Sequence, residues 1–149
     1  MAVSPVIVTQ TIYGIGSATK SLVAAAVGRL VDEKKLSWDT LVKDVSPEFQ
    51  HDSPPVTAIL TAADILWHRC GLADGGTMSL AFQGDGEMLL PRSSLFDLFN
   101  HSPVAFPIRQ SWDYFVWGYS LAGGIIERKG LRGNLWKNMC QQVPWNHSA

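Results

Sequence analysis

Cysteine is almost absent: Cys70 and Cys140 are the only two in 149 residues. Two thiols that far apart form neither a disulfide framework nor a metal site, so reduced, buried thiols in a cytoplasmic protein are expected. No sign of charge dominates. Twelve basic residues stand against 13 acidic ones, for a net charge of −1. That balance argues against a nucleic-acid partner and against a charged tail. No run approaches the roughly 18 apolar residues of a membrane span. The opening, Met1 to Val8, has no positive n-region and no long apolar h-region, so no secretory signal is expected. There are no internal repeats and no low-complexity tract. The expectation is a single domain over 1–149, with no membrane and no nucleic acid among its partners.

Apolar residues make up 46% of the chain and six tryptophans add bulk, which is enough to fill a core. The β-branched stretches Val6 to Thr9 and Thr11 to Tyr13 read as strand, with residues 1–16 as a lead-in broken by Gly14 and Gly16. From Ser17 to Lys35 the apolar positions Leu22, Val23, Ala26, Val27, Leu30 and Val31 recur at helical steps, with alanines between them. That pattern predicts a helix apolar nearly all round and central. Residues 36–49 read as a compact loop with one short turn, and residues 50–55 as a polar surface connection. Thr61 and Asp64 form a capping box that opens a short helix ended by Gly71. Residues 73–93 are glycine-rich and read as a flexible loop. Short helices are predicted over 94–100, 119–129 and 134–142.

The chemistry concentrates where the first helix begins. Ser17 and Lys20 are three apart, so their side chains share one helix face. A hydroxyl is a weak nucleophile until a base takes its proton. A lysine one turn away can do so if it is held neutral or passes its own proton on. Ser-x-x-Lys is a compact acyl-transfer device.

Further blocks follow in order: Gly28 to Asp39, Val45 to Phe49, Leu60 to Leu72 and Trp112 to Gly123. With Ile15 to Ser21, they resemble the serine β-lactamase-related family: AmpC-type β-lactamases, D-alanyl-D-alanine carboxypeptidases and related esterases and transesterases. Cys70 stands where that family usually has serine. The resemblance implies an α+β fold of the β-lactamase/penicillin-binding type, here mostly its helical region with an incomplete sheet. It implies Ser17 as nucleophile, Lys20 as its proton-handling partner, and Tyr114 as the tyrosine of a Tyr-x-Asn motif. A phenol serves there when a cation stabilises its phenolate, and Lys20 is the candidate. The implied substrate is a small molecule carrying an ester, amide or lactam, attacked through an acyl-serine. No metal and no organic cofactor are implied.

Two departures stand out. Val116 replaces the motif's asparagine, and loss of one such donor commonly costs on the order of 2–4 kcal/mol in a transition state. No Lys or His is followed two residues later by Gly, so the family's site-lining strand motif is not found. The chain therefore resembles an amino-terminal piece of the family domain. Relatives without that strand in its usual form resemble esterases or acyltransferases, including ones of secondary metabolism.

Other readings stay open. Ser17 and Lys20 can be an N-cap and a surface lysine. Gly14 with Thr19-Lys20-Ser21 is one residue from a phosphate-binding loop, but Thr19 sits where a glycine is needed. A catalytically weak or inactive protein that acts as a structural partner is the third. It would associate with a partner chain or with itself through exposed apolar surface. His68 and Tyr114 can be packing residues; Asp39, Asp44, Asp64, Asp74 and Asp85 read as caps and loop acids.

Overall fold

The computed structural model describes residues 15–73, 82–83, 87–88 and 94–129. A single 3-10 turn, Gly16–Ala18, runs without a break into α1 (Thr19–Asp32). α2 (Val42–Val45), α3 (Pro54–Ile59) and α4 (Ala62–Leu66) follow as one- to two-turn helices. β1 (Phe82–Gln83) and β2 (Glu87–Met88) pair antiparallel, with Phe82 opposite Met88. α5 (Leu95–Asn100) and α6 (Trp117–Lys129) complete the described residues, which are mainly helical. The stretches 6–13 and 134–142, Cys140, and most of 73–93 lie outside the described residues.

Local chemistry sets the boundaries. α1 stops because Lys34 takes a left-handed conformation, φ 57°. The Lys35 N–H then donates to the Leu30 carbonyl and the Lys34 N–H to that of Val31, both at 2.9 Å, the bond pair that closes a Schellman motif. α4 starts on Thr61. Its hydroxyl accepts from the Asp64 N–H, and the Asp64 carboxylate accepts from the Thr61 N–H. That reciprocal pair satisfies two donors a helix start leaves open.

α6 is the hub, packing on α1 along one side and on α4 along another. Leu121, Ala122, Ile125 and Ile126 of α6 are buried, as are Val23, Ala26, Val27 and Leu30 of α1. Phe49, Phe99 and Phe115 fill the spaces the helices leave; Phe99 meets Phe115 edge-on at 5.5 Å. The α4–α6 approach depends on Gly118: a Cβ there would stand 2.7 Å from Ile65 Cγ2. Gly71 has φ +75° and lies against the Phe106 carbonyl, where a Cβ would overlap it.

Three expectations need correcting. α1 is not covered all round by the described residues, because Ser21, Ala25 and Arg29 are exposed. Its branched residues at steps of three and four mark one stripe, and alanines elsewhere add little area to bury. Residues 50–55 are not a plain surface connection. His51 is buried: its Nδ1 accepts from the Ser53 N–H at 2.8 Å and its Nε2 lies 2.9 Å from the Ser102 carbonyl. Pro54 and Pro55 do not break structure but open α3, since a proline at a helix start lacks only an N–H that would have no helical acceptor. The last helix begins at Trp117, two residues earlier than the pattern suggested.

Candidate active site

Ser17 sits in the 3-10 turn and Lys20 in the first turn of α1, so helical geometry brings them together. Lys20 Nζ donates to Ser17 Oγ at 3.1 Å. Tyr114 arrives from the other side: its hydroxyl lies 2.6 Å from Ser17 Oγ. The three side chains singled out in the sequence therefore meet around one oxygen. Lys20 Nζ also lies 4.9 Å from the centre of the Tyr114 ring and 5.5 Å from that of Tyr119, so two phenol faces flank the cation. Ser17 is exposed and Tyr114 is 38% exposed, which leaves the group open to a ligand. Val116 is half-buried, and its carbonyl accepts from the Tyr119 N–H at 3.1 Å.

Tyr114 is held through its neighbours. The Asp113 N–H donates to the His68 carbonyl at 3.0 Å, and the Phe115 N–H to His68 Nδ1 at 3.1 Å. His68 leaves α4 in a left-handed conformation, φ 57°, one that histidine takes more readily than most residues. Its ring stacks at a tilt on Tyr114, 4.6 Å between centres, and contacts Tyr119 and Trp112. Tyr119 in turn donates its hydroxyl to the Leu66 carbonyl at 2.8 Å.

Charge at the site follows from these contacts. The Lys20 ammonium, then the hydrogen bond with Ser17, pull the Tyr114 hydroxyl below the usual phenol range. Tyr119 moves the other way, pushed up first by burial and then by Tyr114. Burial, and with it the Lys20 charge, holds His68 below the ordinary histidine value. An imidazole that accepts an N–H at Nδ1 must be unprotonated there, so the ring is the neutral Nε2–H form. Cys70 is buried and its thiol is pushed up to about 11, which makes it inert packing. Among the described residues, no group of three or more His, Cys, Asp or Glu side chains is placed to hold a metal ion.

Sequence reasoning missed Arg109. Its guanidinium forks onto Asp64, Nε to Oδ1 at 2.8 Å and Nη2 to Oδ2 at 2.9 Å. Asp64 is thus more than a cap, and 45 positions separate the partners, so no local pattern pointed to the pair. It also missed Tyr119 as the second wall around Lys20. The one available signal was its spacing of five from Tyr114, with a helix starting between them.

Comparison with known proteins gives two results. A family model described as Beta-lactamase matches residues 4–133. A penicillin-binding protein 4 from Amycolatopsis lactamdurans is 30% identical over 132 residues, which cover 87% of this chain and 32% of that protein. The chain thus spans about a third of the length of this curated relative.

Proposed function

The chain belongs to the β-lactamase family, and from that membership we propose a serine hydrolase or acyltransferase working through an acyl-serine on a small ester, amide or lactam. Membership implies the penicillin-binding, transpeptidase-like fold, of which the described residues form a mainly helical part. The observation that carries the proposal is the 2.6 Å separation of Ser17 Oγ and Tyr114 Oη with Lys20 Nζ on the same serine oxygen.

In the proposed reaction Tyr114, as phenolate beside the Lys20 ammonium, takes the Ser17 proton while Ser17 Oγ bonds to the substrate's carbonyl carbon. The Ser17 N–H lies in the first turn, where amide protons have no helical acceptor, and is suited to receive the developing oxyanion. Collapse expels the leaving group, which takes the proton back from Tyr114. Water or an acceptor alcohol then gives its proton to Tyr114 and attacks the acyl-serine. Collapse expels Ser17 Oγ, which takes that proton back from Tyr114 and restores both the hydroxyl and the phenolate. Val116 leaves the site without a side-chain amide two residues beyond Tyr114, a lost donor that lowers or redirects activity.

The test is intact-mass analysis after exposure to a fluorophosphonate probe. One adduct on the parent and none on Ser17→Ala supports the proposal. Equal labelling of both, or of neither, overturns it.

A further inference from the structure

We infer that Asp64 and Arg109 form a positioning pair that sets the Tyr114 hydroxyl against Ser17, although neither has a contact with Ser17 or Lys20 among their hydrogen bonds. The inference rests on the reading of Ser17 and Tyr114 given above.

Arg109 is held at its backbone and at its guanidinium. Its φ of 69° lies in the left-handed region, which a long side chain rarely adopts without an external restraint. Its N–H donates to the Arg69 carbonyl at 2.9 Å, and the Arg69 guanidinium donates back to the Arg109 carbonyl. Its own guanidinium grips Asp64 with two bonds. The Asp64 side chain is 5% exposed, and its Oδ2 also accepts the Thr61 N–H at 3.0 Å and hydroxyl at 2.7 Å. A carboxylate that buried keeps its charge only because donors surround it.

Asp64 therefore works in two directions. Through Thr61 it fixes the start of α4, and the end of α4 delivers His68. Through Arg109 it anchors the segment 109–115. The two routes converge on Tyr114, because the residues on either side of it, Asp113 and Phe115, hang on His68. Loss of the fork frees the start of that segment and lets the phenol drift from Ser17. A bidentate fork is a plane-to-plane contact, so it fixes direction as well as distance.

The test compares the parent with Arg109→Gln, Arg109→Gly and the double variant Asp64→Asn/Arg109→Gln. The last leaves no unpaired buried charge and supplies a folded background should the single variants not fold, as judged by circular dichroism. Tyr114 ionisation is read by ultraviolet titration against the same protein carrying Tyr114→Phe. Fluorophosphonate labelling of Ser17 is read alongside. In the folded variants the Tyr114 midpoint should climb toward an unperturbed phenol, about 10. Labelling should slow by roughly 10²-fold, as for a reactive group displaced by an ångström. Arg109→Gly should behave like Arg109→Gln even though glycine relieves the backbone, which separates the fork from the strain. An unchanged midpoint in the folded variants overturns the inference. The titration needs no reaction at Ser17, so a parent that takes no label overturns the acyl-serine reading while this measurement still decides the positioning.

Discussion

The hydroxyls of Ser17 and Tyr114 lie 2.6 Å apart although 97 positions separate them in the chain. Two exposed polar side chains have no reason to be held that close for stability alone, since water would serve either as well. The contact joins the turn before α1 to the segment before α6, two helices that pack on each other.

Replacing Tyr114 with Phe keeps the ring on His68 and removes the hydroxyl proposed as the proton acceptor. Fluorophosphonate labelling of Ser17 should fall by about 10²–10⁴-fold, the usual share of a general base. Unfolding in urea should change by no more than about 0.5 kcal/mol, since the lost hydroxyl is exposed.

Lys20→Met tests the electrostatics. In the proposed reaction the phenolate is the base, so labelling should rise with pH as Tyr114 loses its proton. The Lys20 ammonium is the first cause of that group's lowered pKa. Without it, the rise should move to more alkaline pH while the plateau remains. A profile that does not move would show that Lys20 leaves the phenol untouched.

Gly118→Ala places a methyl 2.7 Å from Ile65 Cγ2 and 3.3 Å from both the Ile65 carbonyl and Phe115 Cδ1. Ile65 is fully buried and cannot swing away into solvent. The variant should lose about 1–3 kcal/mol in chemical denaturation, the usual penalty of overpacking.

Glu48 and Arg128 form a two-pronged pair at 2.6 and 2.8 Å that ties the chain after α2 to the end of α6. The Arg128 hydrogen bonds are the largest cause holding the Glu48 carboxyl down to about 2, below the ordinary glutamate value of 4.5. A carboxyl depressed in the folded state adds stability above its unfolded value, and that stability drains away as pH falls through the folded one. Glu48→Gln should therefore flatten the stability loss between those two pH values and leave the curve above them parallel to the parent. Thermal melts across that acid range check it.

The local signals in the sequence were strong wherever one turn of chain contained the whole interaction. Ser17 and Lys20 needed only helical spacing, and Thr61 with Asp64 only the first turn of a helix. The apolar steps at Val23, Ala26, Val27 and Leu30 marked the buried stripe of α1 but not its limits. Alanine is compatible with either side of a helix, and only the neighbours decide which. His51 looked like part of a polar connection because its acceptor, the Ser102 carbonyl, is 51 positions away.

The sequence alone determined the Ser17–Lys20 turn, the Thr61–Asp64 cap and the family, because each depends on residues close together or on an order of blocks along the chain. Tertiary structure alone decided that Tyr114 meets Ser17, that Tyr119 walls Lys20 and that Arg109 grips Asp64. Those contacts join elements brought together by the packing of α1 and α4 on α6. A hydrogen bond of under 3 Å depends on that packing to a fraction of an ångström, and no spacing along the chain encodes it.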